Sequence, residues 1–165
     1  MDLITAEIIR EYLLTVSEEM SETVTRTAMS PVFNEGHDYS TAIFYFDGRQ
    51  ISLIARATVV PEHIYASLVS LEVMLKTFEA DIHEGDIGLV NDPYFGGSHL
   101  PDWTIMKPVF FEGKPPFFPV VRAHQLDVGG PVAACKNAYA KTIWQEGFRI
   151  YPIKQLVHNP ERIRF

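Results

Sequence analysis

The sequence predicts an α+β fold, with a mixed or antiparallel sheet, a long N-terminal helix and a second packed helix. Three observations predict it. Apolar residues recur at helical spacing in two separate stretches. Short runs of β-forming residues sit beside strong turn signals, as at Asp47-Gly48. Runs of strands are broken by helices rather than alternating with them regularly, the pattern of an α+β or mixed-sheet fold. No repeat, low-complexity tract or linker divides the chain, so residues 1–165 read as a single domain.

The first helix is expected over residues 5–29. Ile4, Ile8, Tyr12, Val16, Met20 and Val24 recur every four residues, and Ile9 and Leu13 widen the stripe into a core or interface face. Thr5 is the expected N-cap, with Glu7 in the first turn, and Ser30-Pro31 ends the helix. A polar loop spans 32–40. A hairpin follows, from Thr41 to Phe46, through Asp47-Gly48, and back over Gln50 to Val60. Pro61 opens the second helix, where Ile64, Leu68, Leu71, Leu75 and Phe78 share a face. A short apolar strand runs from Ile87 to Val90. Turn formers crowd 91–98. A second hairpin pairs 104–111 with 117–123 across Glu112-Gly113-Lys114. The last 30 residues mix helical and extended signals.

Composition excludes several function classes. The charge is −7 and no run of Lys or Arg stands out, which argues against a nucleic-acid partner. No apolar run approaches the roughly 20 residues of a membrane span. The start, Met1-Asp2-Leu3-Ile4, lacks a basic region followed by an apolar block, and the one cysteine, Cys135, cannot form an internal disulfide, so a cytoplasmic location is expected. Cys135 reads as a small packed residue, without the base and positive surroundings of a reactive thiol.

The residues that can carry chemistry lie in two segments, Gly96-Gly97-Ser98-His99-Leu100-Pro101-Asp102 and Arg122-Ala123-His124-Gln125-Leu126-Asp127-Val128-Gly129-Gly130. Antiparallel pairing of the second hairpin brings His99 and Asp102 to the end where His124 lies. Two imidazoles and a carboxylate suit a borderline divalent ion such as Zn²⁺, Mn²⁺ or Fe²⁺. The flanking glycines let backbone approach such a site. Asp38 or Asp127 adds an oxygen ligand or orients a histidine from behind. The competing interpretation is that these histidines are polar loop residues and that Asp102 caps a turn. His99-x-x-Asp102 also differs from the His-x-Asp spacing of cupin-like iron oxygenases. Gly96-Gly97-Ser98 lacks the Lys and the following helix of a phosphate loop. His63 reads as a core or capping residue at a helix start, and Arg122 as the partner of a surface carboxylate. His37, His83 and His158 read as exposed loop residues.

Asn91-Asp92-Pro93-Tyr94, the Gly96–Asp102 segment, Arg122-Ala123-His124 and Asp127-Val128-Gly129-Gly130 together resemble the linked signature of the hydantoinase B/oxoprolinase family. Arg26-Thr27-Ala28-x-Ser30-Pro31, His37-Asp38-Tyr39-Ser40 and Gln145-Glu146-Gly147-Phe148-Arg149-Ile150 are similar to further family segments, in the same order along nearly the whole chain. The resemblance implies a B-type (alpha-type) subunit that holds a metal centre. It implies a partner, an A-type subunit of the sugar-kinase/actin type, which binds ATP and phosphorylates the substrate. Family members include N-methylhydantoinases, 5-oxoprolinases and caprolactamase-like lactamases, which open a cyclic amide, and acetone and acetophenone carboxylases. By resemblance the metal ligands are His99, Asp102 and His124, with Asp38 as a fourth. His124 and Asp127 are the candidate catalytic residues, Asp127 as a ligand orienter or general base. Ring opening is the leading expectation, ketone carboxylation the alternative, and a non-catalytic assembly subunit the rival from another class. Many members carry a second histidine after the His124 position; here Gln125 stands there and cannot shuttle protons near neutral pH. Family B-type subunits are several times longer, which implies a fragment, a split-gene subunit or one piece of a larger assembly corresponding to the N-terminal metal-site region.

Overall fold

The computed structural model describes residues 2–57, 60–79, 81–112, 114–132 and 137–156. Cys135 and His158 lie outside the described residues. Among the described residues seven strands form one sheet: β1 (Tyr39–Phe46), β2 (Ile51–Arg56), β3 (Asp86–Val90), β4 (Asp102–Met106), β5 (Val109–Phe111), β6 (Lys114–His124) and β7 (Ile153–Leu156). Their order is β2-β1-β6-β4-β3-β7, with β5 also on β6, and the pairings are antiparallel. Helices α1 (Leu3–Thr27), α2 (Pro31–Asn34) and α3 (Pro61–Phe78) complete an α+β fold.

Helix α1 begins two residues before its expected start. Asp2, not Thr5, is the N-cap: its carboxylate accepts the Thr5 N–H at 2.9 Å, satisfying an otherwise unpaired donor at the positive end of the helix. The apolar stripe divides along its length. Ile4, Ile8 and Tyr12 are exposed, whereas Ser17 is buried and Met20 and Val24 are partly buried. Only the C-terminal half therefore packs on the sheet. Small side chains let it come close: the Thr41 hydroxyl donates to the Ser17 carbonyl at 2.8 Å, and the Tyr39 hydroxyl to that of Ser21 at 2.8 Å. The helix ends at Thr27, and Pro31 then occupies the first position of α2, a one-turn helix where a loop was expected.

Successive side chains of β1 point to opposite sides. Tyr39 and Thr41 meet α1, while Ala42 and Phe44 join Ile64, Leu71, Met74, Val90, Met106, Phe118 and Val120 in the core beneath α3. The two long helices thus cover opposite faces. At the first hairpin the Asp47 carboxylate accepts N–H groups from Arg49 and Gln50, and Gly48 takes φ 92°. Strand β2 stops at Arg56 rather than continuing to Val60, because Val60 is already the residue that leads into α3. The strand expected over 104–111 is broken in two. Pro108, with no N–H to donate, sits in the gap, and both pieces pair with β6. Strand β7, in the stretch with mixed signals, joins the free edge of β3. Among the described residues no helix is long and apolar enough to cross a membrane.

The loop between β3 and β4 is tied to the far end of the chain. Asn91, fully buried, donates to the Leu100 carbonyl at 2.7 Å and the Phe148 carbonyl at 2.9 Å, and accepts the Ile150 N–H at 2.6 Å. Asp92 caps the 3-10 turn at Pro93–Phe95 and takes two bonds from Arg149, at 2.9 and 2.6 Å. The Arg149 guanidinium lies 4.7 Å from the Trp144 ring centroid and 5.1 Å from that of Tyr151. Replacing Asn91 by Ala takes partners from the buried Leu100 carbonyl and Ile150 N–H and from the partly buried Phe148 carbonyl. It is expected to lower the unfolding free energy by on the order of 2–4 kcal/mol, measured by urea denaturation.

Candidate metal centre

Strand register builds the site. Asp102 at the start of β4 pairs directly with His124 at the end of β6, and Thr104 with Arg122. These alternate residues share the α3 side of the sheet. The His124 N–H donates to the Asp38 carbonyl at 3.0 Å and the Gln125 N–H to that of Pro101 at 2.8 Å, so the chain before β1 and before β4 is stitched to the end of β6. A turn closed by the Asp102 N–H on the His99 carbonyl, at 3.1 Å, brings His99 over the same point.

The ligand atoms of His99, Asp102 and His124 lie within 4.8 Å of one another. His99 Nε2 is 3.1 Å from His124 Nδ1, which is 3.3 Å from Asp102 Oδ1. Donors bonded to one cation at about 2.0–2.2 Å stand roughly 3.0–3.5 Å apart, so this spacing fits a coordination sphere. Two imidazole nitrogens this close either share one proton or present two lone pairs to one ion. Asp102 Oδ2 lies 3.2 Å from His99 Nδ1, which favours the proton on Nδ1 and frees the Nε2 lone pair. Asp102 is buried, yet its Oδ1 has no hydrogen-bond partner. A buried carboxylate oxygen without a donor is costly, and its position 3.3 Å from His124 Nδ1 suits a metal ligand. Asp38 is half-exposed; its carboxylate is 4.0 Å from His124 Nδ1 and 3.7 Å from His63 Nε2.

Two residues of the site were read differently from sequence. Arg122 does not pair with a surface carboxylate. It is fully buried, with Nε 3.5 Å from Asp102 Oδ2. Its position two residues before His124, on the same strand face, is the signal that places it here. His63, in the first turn of α3, is buried as expected of a core residue, but its Nε2 faces two carboxylates, 3.6 Å from Asp102 and 3.7 Å from Asp38. That contact is wholly tertiary and leaves no local trace. An open cavity of about 380 Å³ is lined by Asp38, Glu62, His63, Ser98, His99, Asp102 and His124 among others. Three of these, Asp38, Glu62 and Asp102, are carboxylates, an acidic lining that suits a cation, and Arg122 Nε stands beside Asp102 alone of the three. Asp127 does not line this cavity. It is exposed, and its carboxylate accepts the Gly129 N–H at 2.8 Å in a turn. Gly96 and Gly97 do not face the site either. A Cβ on Gly97 would come within 2.2 Å of the Asn91 carbonyl oxygen and one on Gly96 within 2.8 Å of the Ser70 backbone, so these glycines let the loop lie against α3 and β3. His83 pairs with Asp81 at an exposed loop.

Electrostatics follow from burial and neighbours. Burial pushes the Asp102 carboxyl up, but hydrogen bonds from His99 and Ser98 and the charges of His99 and Arg122 outweigh it and hold the group well below the usual carboxylate range. Burial holds the His63 imidazole below its ordinary value, against the opposing pull of Asp102 and Asp38, which keeps it neutral at pH 7.

With this geometry in view, likeness to known proteins is informative. The family model for hydantoinase B/oxoprolinase matches residues 2–162. The chain belongs to the hydantoinase B/oxoprolinase family. Within it, the chain is 38% identical over 162 residues to the caprolactamase subunit beta of Pseudomonas jessenii, a match covering 98% of this chain and 27% of that one. It is 37% identical over 153 residues to 5-oxoprolinase 1 of Arabidopsis thaliana, covering 93% of this chain and 12% of that protein. The chain therefore spans about a quarter or less of these family relatives. The crystal structure of the ATP-dependent caprolactamase from Pseudomonas jessenii superposes with a TM-score of 0.83 at 38% identity, over 93% of this chain and 26% of that one. A nucleotide-free acetone carboxylase shares the fold, with a TM-score of 0.67 at 22% identity over 77% of this chain and 16% of the other.

The depressed Asp102 value links the hydantoinase B site to pH. A carboxyl lowered in the fold contributes stability that is complete above its ordinary value of 3.8 and is lost as pH falls from there towards the folded value. The metal-free protein should lose unfolding free energy on acidification below about pH 4, and Asp102→Asn should flatten that limb, read by denaturant titrations at several pH values.

Proposed function

We propose that this chain binds one divalent cation through His99, Asp102 and His124, with Asp38 as a fourth ligand. In this reading it is the metal-binding component of an ATP-dependent multi-subunit enzyme that opens a cyclic amide after a partner subunit phosphorylates it. The observation that carries the metal reading is the buried, unpartnered Oδ1 of Asp102, set in register against His124 and within a ligand sphere of His99. The choice of ring opening rests on the company the chain keeps: relatives at 37–38% identity are named as a caprolactamase subunit and a 5-oxoprolinase, whereas the likeness to acetone carboxylase is one of fold. The subunit naming of the caprolactamase relative supports a hetero-oligomer; in this reading the partner is an ATPase-like A-type subunit and the chain is the metal-site region of a longer B-type protein. We place the complex in the cytoplasm.

When bound by His99, Asp102 and His124, a divalent ion would supply Lewis acidity for a carbonyl or phosphoryl oxygen or for water. The protein's own groups supply the rest. His99 and His124 offer imidazole nitrogens. His63, buried and neutral, lines the cavity and faces the Asp38 and Asp102 carboxylates. Zn²⁺ and Mn²⁺ both match two nitrogens with one or two oxygens, and Fe²⁺ is the third candidate.

Elemental analysis of the purified protein tests the ligand set. It should show about one equivalent of a divalent metal in the wild type and less than about a tenth in His99→Ala and His124→Ala, while Asp127→Asn, outside the cavity, keeps its metal. Equal retention by both histidine variants removes the site. The activity is tested on the complex with its partner subunit and ATP. Ring opening of a lactam or hydantoin that needs no bicarbonate is expected, and lost in His124→Ala. Bicarbonate-dependent consumption of a ketone would instead assign the chain to the carboxylases, and neither activity would leave an assembly role.

A further inference from the structure

The metal site and the core do not account for one buried charged group, the guanidinium of Arg122. It is fully buried at the middle of the sheet, and its hydrogen bonds run in three directions. Nη1 donates to Thr104 Oγ1 on β4 at 2.9 Å and lies 3.3 Å from Ser70 Oγ on α3. Nη2 donates to Ser98 Oγ at 2.7 Å, and Nε stands 3.5 Å from Asp102 Oδ2. Ser70 is itself held, donating to the Gly96 carbonyl at 2.7 Å. A planar guanidinium anchored to a strand and a helix has no freedom to turn.

The consequence falls on Ser98. A hydroxyl has one proton. Because Ser98 Oγ accepts from Arg122, that proton is directed elsewhere, and it goes to Asp102 Oδ2 at 2.5 Å. Oδ2 therefore receives the Ser98 hydroxyl and lies beside Arg122 Nε and His99 Nδ1, while Oδ1 receives no donor although it is buried. The two oxygens of one carboxylate are made unequal. The Ser98 hydroxyl draws on a lone pair of Oδ2 and makes it the poorer ligand, and the bare Oδ1 stands 3.3 Å from His124 Nδ1.

We propose that Ser98 and, acting through it, Arg122 are positioning residues: the Ser98 hydroxyl occupies Asp102 Oδ2 and so makes Asp102 a one-oxygen ligand, leaving a coordination position free for substrate. This rests on the metal reading above and adds to it a reason for the buried arginine. Neither residue touches the ion. Lysine, a point charge, cannot span Thr104, Ser98 and the carboxylate together. Threonine at position 98 keeps the hydroxyl and, at this exposed loop position, has room for its methyl group.

The test is a Co²⁺ titration of the metal-free, full 165-residue protein, following affinity and the visible absorption bands, which report coordination number. Wild type is expected to bind one Co²⁺. Ser98→Ala and Arg122→Lys should bind about 10- to 100-fold more weakly and with altered bands, as the second carboxylate oxygen joins the ion. Ser98→Thr should restore both. Met74→Ala, which weakens the core away from the site, should keep wild-type bands, so a loss of stability alone does not reproduce the effect. If Arg122→Lys fails to fold, Ser98→Ala decides. Wild-type affinity and bands in Ser98→Ala overturn the positioning role while the metal site stands. A wild-type protein that binds no Co²⁺ overturns the metal reading itself, and the positioning role with it.

Discussion

The antiparallel register between β4 and β6 is the constraint on which the rest of the structure depends. It sets Asp102 against His124 and Thr104 against Arg122. A slip of one residue would turn either strand's set of side chains to the other face of the sheet. The α3 face would then lose a carboxylate or an imidazole together with the guanidinium. Backbone bonds from the end of β6 to Asp38 and Pro101 lock the same alignment at its open end. Register, buried charge and ligand geometry are one arrangement: Asp102 and Arg122 tolerate burial because each has the other within reach.

Around this centre the loop between β3 and β4 is held by residues from the far end of the chain. Asn91 and Asp92 are saturated by backbone and side-chain groups of 148–150, and aromatic rings flank Arg149 where it reaches Asp92. The loop so anchored delivers Ser98 and His99 to the site. Segments separated by more than 50 residues thus act together, the physical content of a signature whose pieces are spread along the sequence.

Much of this was legible before any coordinates. The helical period from Pro61 to Phe78 and the turn at Asp47-Gly48 are local signals, and both elements form there. The convergence of His99, Asp102 and His124 followed from pairing two strands across a turn. A strand-end arginine is usually solvated, which points Arg122 to a surface carboxylate, whereas its two-residue offset from His124 holds the contrary signal. His63 meets the carboxylates only through the docking of α3, which no spacing in the sequence encodes. The exposed first half of α1 was equally illegible, since the period of Ile4, Ile8 and Tyr12 records an apolar face and not what lies against it. Residue chemistry offers Asp38 or Asp127 as a further oxygen ligand or orienter, and the resemblance points to Asp38 as the ligand; Asp38 lines the same cavity, and Asp127 lies in a separate turn.

The account therefore reduces to a claim about one point in space, between two imidazoles and a carboxylate oxygen that has no other partner. Anomalous X-ray scattering from crystals grown with Mn²⁺ or Zn²⁺ tests it most directly. A single anomalous peak within about 2.0–2.3 Å of His99 Nε2, His124 Nδ1 and Asp102 Oδ1 is the result the account predicts. Ordered side chains at that point with no peak between them, or a metal bound elsewhere on the chain, would contradict it.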